Sequence, residues 1–179
     1  MQPLLTIDLD AITANWRALD KLSGEAETGV AVKANGYGCG ADEVAVALAG
    51  AGCQTFFIAT VDEGVSLRAA LPKQTIYILN GVADRRDSAA AIAHGLRPCL
   101  NHLGQIDAWQ RSEGGACALQ LDSGMSRLGL ETEEWPSVPG GLDIRLLMSH
   151  LACADEPDHT ANGHQLQRCL LYTSPSPRD

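Results

Sequence analysis

In the stretch "GVAVKANGYGCG" a lysine, Lys33, closes a short apolar run, and Gly36, Gly38 and Gly40 follow at alternate positions. A long, strongly hydrated cation is costly to bury. As a structural residue Lys33 runs its methylenes along a strand end and lifts its ammonium into water. As a chemical residue it offers a primary amine, a nucleophile or base wherever the surroundings disfavour its charge. The glycines let the backbone turn sharply and approach a ligand closely. Two more apolar runs end in polar groups. "ALQLDSGMSRLGL" stops at Asp122 and continues through a Ser-Gly turn to Arg127. "RLLMSHLACADE" carries Leu146, Met148 and His150 at alternate positions, hence on one strand face. Singly, Arg127 reads as a solvated loop charge and His150 as a structural histidine. Brought to one rim, a lysine, an arginine and an imidazole make a site for an anionic ligand.

The elements that would bring them together alternate along the chain. "LTIDL" reads as an opening strand, and Asp10 stands where it caps the following helix, in which Ile12, Trp16 and Leu19 recur at helical spacing. Six core strands are then predicted, in "GVAVKAN", "TFFIAT", "QTIYILNG", "LRPCLN", "ACALQLDSG" and "DIRLLMSHLA". Helical segments "ADEVAVALAGAGC", "VDEGVSLRAAL", "DRRDSAAAIAHG" and "HLGQIDAWQRS" separate the first five. This alternation implies right-handed βαβ units and a parallel sheet, either an open doubly wound sheet or a (β/α)8 barrel. No G-x-G-x-x-G follows a strand, so the dinucleotide-binding open sheet gains no support. A complete barrel takes about 250 residues, and the chain has 179. In a barrel, functional groups sit at the C-terminal strand ends, which is where Lys33 falls, with the small Ala31 beneath it leaving room.

Composition bounds the partners. The formal net charge is −9 without a basic cluster, which argues against nucleic acid. No apolar run approaches the roughly 18 residues of a membrane span, and "MQPLLTIDLD" lacks the order of a secretory signal. The expectation is a cytoplasmic protein. Six cysteines are scattered in largely apolar surroundings without a C-x-x-C pair, so they read as reduced core residues and no metal site is expected. Asp155 and Glu156, with Asp158 and His159 nearby, resemble an acid cluster but read as residues opening a helix. "DEGVSLR" and "DRRDS" read as solvated helix faces.

At these residues the chain resembles a known family. "AVKANGYGCG" is similar to the pyridoxal-phosphate lysine motif of alanine racemases, V-K-A-N-A-Y-G-H-G. "LQLDSGMSRLG" is similar to that family's D-[ST]-G-M-x-R-x-G, and "MSHLACADE" to its S-H-[FL]-A-x-A-D-E. The three occur in the family's order and spacing, and similarity runs over roughly residues 4 to 168. The resemblance implies an incomplete (β/α)8 TIM-type barrel of about six strands over residues 1–169. It also implies a C-terminal β-domain that lies beyond this chain, and residues 170–179 read as a foreign tail.

The resemblance further implies PLP-dependent interconversion of L- and D-alanine, supplying D-alanine for peptidoglycan, in a homodimer. Lys33 is then the lysine that condenses with pyridoxal phosphate, in a pocket that lowers its pKa. Tyr37 binds the phosphate, Arg127 orients cofactor and substrate carboxylate, and His150 lies against the pyridine ring. The second base is a tyrosine of the absent β-domain, so the chain alone is expected to be inactive and poorly soluble. Gly36 and Cys39 depart mildly from the motif. Gln120 stands where many members carry a carbamylated lysine, so charge around Arg127 must be balanced by an anion or a neutral hydrogen bond. The alternative reading is a non-catalytic pyridoxal-phosphate-binding barrel protein.

Overall fold

The computed structural model describes residues 3–173. The six predicted core strands are present: β1 Val30–Ala31, β2 Thr55–Ile58, β3 Thr75–Ile78, β4 Arg97–Leu100, β5 Cys117–Leu121 and β6 Ile144–Ser149. Helices Leu9–Ser23, Ala41–Ala51, Val61–Ala70, Arg85–Ala93, Leu103–Arg111 and Thr160–Thr173 alternate with most of them. Every strand pair described below is parallel, which requires crossover connections of the kind these helices provide.

The chain forms two compact units. The first runs to Leu79 and takes in Ala90–Arg97; the second holds Asn80–Ala89 and the described residues from Pro98 on. In the first, β1, β2 and β3 share one register, Val30↔Phe56↔Ile76 and Ala31↔Phe57↔Tyr77. Because side chains alternate, Phe56, Ile58, Ile76 and Ile78 fall on one face and join Leu48, Leu67 and Leu71 in a sealed core. Ala31, Phe57 and Tyr77 occupy the other face, where the two rings stack at 5.4 Å between centroids. The Arg97 guanidinium lies 5.7 Å from the Tyr77 ring centre and donates to its hydroxyl at 3.3 Å.

The second unit is built on β5, all five of whose residues are buried. It pairs with β4 through Cys99↔Ala118 and Leu100↔Leu119, and with β6 through Leu119↔Leu147 and Leu121↔Ser149. A strand buried on both faces reads as a near-continuous apolar run, as "CALQL" does. Trp109 of the helix Leu103–Arg111 is sealed into this core, and its indole N–H donates to the Gly115 carbonyl at 3.1 Å.

Several expectations are corrected. Residues 3–8 form no strand, and Leu4 and Leu5 are exposed, because no ladder partner meets them among the described residues. The first helix is capped by Asp8, whose carboxylate accepts from Ala11 N at 2.9 Å; Asp10 is the second residue of the helix, in its first turn. "GVAVKAN" pairs only at Val30–Ala31, with one further rung from Val32 N to Phe57 O. The final helix runs to Thr173, and residues 174–179, most of the stretch read as a tail, lie outside the described ones. That helix opens at Thr160, with Ala161 N donating to His159 Nδ1 at 3.2 Å, so Asp155 and Glu156 stand in the turns before it and do not cap it.

"DEGVSLR" is not a solvated face. Arg68 donates to the carbonyls of Leu71, Gln74, His94 and Gly95, and burial followed by the charge of Arg97 lowers its pKa. In "DRRDS" Ser88 is fully buried, and Asp84 and Asp87 accept from the amides of Asp87 and Ala83. No helix among the described residues is long and apolar enough to cross a membrane. No described group of three or more His, Cys, Asp or Glu is placed to hold a metal.

Cys53, Cys99 and Cys117 are buried free thiols. Burial pushes Cys53 up to about 11, with Glu27 and Asp20 adding to the rise. Burial pushes Cys99 to about 12. Cys117 rises to about 11 by burial and by the nearby Asp143 carboxylate. The folded chain holds these protons more tightly than the unfolded chain, whose thiols ionise near 9. Stability from this source is therefore intact below about pH 9 and falls as the pH climbs towards 11–12. Urea midpoints measured from about pH 8 to about pH 10.5 are expected to drop, and to drop less in Cys99→Ala than in the unchanged chain.

Candidate functional site

Lys33 stands where β1 stops pairing. From Ala34 to Gly38 the backbone turns left-handed, with φ of 51°, 54°, 62°, 56° and 87° at Ala34, Asn35, Gly36, Tyr37 and Gly38. Gly36 and Gly38 adopt this freely and Asn35 tolerates it, whereas Ala34 and Tyr37 each cost about 1–2 kcal/mol. The turn closes on itself through Gly36 N to Val32 O at 2.9 Å, Gly38 N to Ala34 O at 3.1 Å and Gly40 N to Asn35 O at 3.0 Å. Asn35 Oδ1 accepts from Ala41 N at 3.0 Å and so ties the turn to the next helix.

The remaining support comes from Glu63. One carboxylate oxygen accepts from Ala34 N at 2.8 Å, the other from Ala59 N at 2.7 Å. Thr60 caps the helix Val61–Ala70 in a reciprocal capping box with Glu63. Bonds to a charged acceptor contribute about 1.5–3 kcal/mol, which offsets much of the strain. The resulting turn holds Lys33 half-buried and Tyr37 largely exposed, at 64%. Among the described residues the Lys33 amine and the Tyr37 hydroxyl carry no hydrogen bond or ion pair. A cleft of about 570 Å³ adjoins the turn, lined by Val32, Asn35, Glu43, Ile58, Glu63 and Leu67 among others.

In the second unit the loop after β5 folds back on its own strand. Leu130 N donates to Gln120 O at 2.8 Å and Asp122 N to Leu130 O at 3.0 Å. Asp122 Oδ1 accepts from Gly124 N and Ser126 N, closing the loop's near side. Gly129 permits the return: its φ is +119°, and a Cβ there would stand 2.6 Å from Asp122 N. Arg127 is carried outward, exposed. Gln120 is 5% exposed and donates to Leu128 O at 3.3 Å, so it braces the residue next to Arg127 with a neutral bond.

His150 directly follows β6 and is exposed; its carbonyl accepts from Gln165 Nε2 at 2.9 Å. The same amide group reaches Ser123 Oγ at 3.1 Å, and Gln165 Oε1 accepts from Ala152 N at 2.8 Å. Lys33 and Tyr37 thus belong to the first unit, Arg127 and His150 to the second, each just beyond the C-terminal end of a parallel strand.

Sequence reasoning missed Glu63 and Gln165. The pattern Thr60-x-x-Glu63 signals a capping box, which accounts for one carboxylate oxygen and gives no hint of Ala34, 29 residues earlier. Nothing in the local sequence marks Gln165, whose partners Ser123 and His150 lie 42 and 15 positions away.

A (β/α) barrel segment with a lysine-bearing turn at one strand end and an arginine-bearing loop at another defines a class of barrel protein with functional groups at C-terminal strand ends. Residues 7–176 match the family model described as alanine racemase, N-terminal domain, and the chain belongs to that family. An alanine racemase of Cereibacter sphaeroides is 49% identical over 168 residues, covering 90% of this chain and 48% of that protein. A catabolic alanine racemase of Mesorhizobium japonicum is 45% identical over 174 residues, 90% of this chain and 45% of its own. Among solved structures, the biosynthetic alanine racemase of Pseudomonas aeruginosa superposes with a TM-score of 0.88 at 32% identity, covering 97% of this chain and 51% of that one. That of Bartonella henselae, with covalently bound pyridoxal phosphate, gives 0.84 at 35% identity, covering 92% of this chain and 52% of that one. The fold is therefore the alanine racemase barrel, represented here by six strands. The chain spans about half the length of these relatives.

Gly129 is a sharp test of the Arg127 loop. Gly129→Ala is expected to destabilise the chain by roughly 2–3 kcal/mol in urea unfolding. Gly140→Ala, where nothing lies within 4 Å of the added methyl, is expected to stay within about 0.5 kcal/mol.

Proposed function

We propose that this chain is the lysine-bearing part of a pyridoxal-phosphate-dependent alanine racemase, which interconverts L- and D-alanine in the cytoplasm as a homodimer and supplies D-alanine for peptidoglycan. The observation that carries the reading is the Lys33 amine, half-buried on a strained turn at a strand's C-terminal end and without a partner among the described residues. Strain of this kind, held in place by surrounding bonds, gathers at functional sites. An unpaired primary amine suits an aldehyde cofactor, and the unpaired Tyr37 hydroxyl and the exposed Arg127 guanidinium suit its phosphate and a carboxylate. On these grounds the residues present fit pyridoxal phosphate.

Bound through Lys33, the cofactor supplies the electron sink that makes the substrate's α-hydrogen acidic. Lys33 then has two tasks. Its Nζ would hold the cofactor, and as a free amine it would take the α-proton of the D-enantiomer on one face, or return it there in the opposite direction. Tyr37 donates its hydroxyl to the phosphate. Arg127 holds cofactor and substrate carboxylate; its brace, Gln120, is neutral and leaves the guanidinium charge available to an anion. His150, exposed directly after β6, would help to hold the cofactor. Racemisation needs a second base on the opposite face, which this reading assigns to a tyrosine of the family's β-domain from the partner subunit.

Borohydride reduction of the full-length protein with pyridoxal phosphate, followed by peptide mapping, is expected to fix the label on Lys33. Lys33→Ala is expected to lower alanine racemisation by at least about a thousandfold. Label on Lys21 or Lys73 instead, or racemisation that survives the substitution, would overturn the assignment.

A further inference from the structure

We infer that Glu63 is a positioning residue for the Lys33 amine: its carboxylate fixes the turn in which Lys33 presents its side chain. The inference deepens the function proposed above and rests on it.

The register Ala31↔Phe57, advanced by two, brings Lys33 opposite Ala59. The last rung of the ladder is Val32 N to Phe57 O at 2.9 Å. An extended chain would place the next rung between Ala34 N and Ala59 O. Instead the backbone turns left-handed at Ala34, and the Ala34 amide bonds Glu63 Oε1 at 2.8 Å while the Ala59 amide bonds Glu63 Oε2 at 2.7 Å. Glu63 thus stands in for the missing rung. Because the Ala34 N–H shares a rigid peptide plane with the Lys33 carbonyl, holding that N–H fixes the orientation of the backbone from which the Lys33 side chain departs.

The choice of glutamate has a chemical reason visible elsewhere in the chain. Gln105 links Asn101, directly after β4, to Asn80, accepting from Asn101 N at 2.8 Å and donating to Asn80 O at 2.8 Å. Gln165 does the same after β6, accepting from Ala152 N and donating to Ser123 Oγ and His150 O. In both places the partners are an N–H and an oxygen, which one amide satisfies. At Lys33's turn both partners are N–H groups, so the linking side chain must accept at both ends. A carboxylate does so and a carboxamide does not.

The test compares Glu63→Gln with Thr60→Ala in the full-length protein. Thr60→Ala removes the hydroxyl half of the same helix cap and leaves the bond to Ala34. The readings are hydrogen exchange at the Ala34 amide and, at limiting pyridoxal phosphate, the share of borohydride-fixed label on Lys33 relative to Lys21 and Lys73. Glu63→Gln is expected to speed the exchange and cut the Lys33 label by about tenfold each, with both within about twofold of wild type in Thr60→Ala. If Glu63→Gln does not fold, Glu63→Asp, one methylene too short to reach Ala34, gives the same two readings. Exchange and labelling unchanged in the Glu63 variant, or lost equally in Thr60→Ala, would overturn the inference. Absence of label on Lys33 in the wild-type protein would sink the cofactor reading alone, and the exchange comparison would still decide whether Glu63 holds the turn.

Discussion

The lysine-bearing end of the first unit depends on one hydrogen-bonded carboxylate. A parallel strand that stops pairing leaves backbone N–H groups that need acceptors. At β1 this need coincides with a left-handed turn that includes three residues other than glycine. Glu63 meets both demands, since its two oxygens take the amides of Ala34 and Ala59 while the helix behind it is capped through Thr60. Without that carboxylate the ladder's own next rung, Ala34 N to Ala59 O, favours an extended course, with Lys33 standing off the sheet face as an ordinary strand-end residue.

The same problem recurs at the other strand ends and is solved by the same geometry with different chemistry. Within each unit a side chain from the helix after an even-numbered strand reaches back to an earlier loop: Glu63 to Ala34 beyond β1, Gln105 to Asn80, and Gln165 to Ser123 beyond β5. Gln105 and Gln165 are nearly sealed from solvent, and each makes at least two bonds, which is the condition for burying an amide without loss. The loop after β5 adds a second device, a glycine return at Gly129 that locks the backbone against Asp122 and leaves Arg127 outside. Both devices hold loops rigidly while keeping cationic side chains uncommitted.

The face of the sheet opposite the helices is less uniform than a plain apolar layer. Ala31, Phe57 and Tyr77 sit in one row, with the Arg97 guanidinium near the Tyr77 ring and bonded to its hydroxyl. Buried polar groups elsewhere, such as Ser88 and Gln105, are bonded to backbone atoms and belong to the scaffold.

The sequence by itself determined the alternation of strands and helices and the family, because periodicity and motif spacing are local properties of the chain. It marked Lys33, Arg127 and His150 by their places at or after the ends of apolar runs, and Tyr37 through the resemblance of its motif; the structure puts all four beyond the C-terminal ends of β1, β5 and β6. It misjudged "LTIDL", since an apolar alternation becomes a strand only where another strand offers it a ladder. It also took Glu63 and Arg68 for solvated charges, because their partners are backbone groups that the folded chain supplies: Ala34 and Ala59 for one, four carbonyls from Leu71 to Gly95 for the other. Only the tertiary structure decided that Lys33 leaves its strand on a left-handed turn, since that conformation is unfavourable for Ala34 and Tyr37 taken locally and is held by a carboxylate 29 residues along the chain.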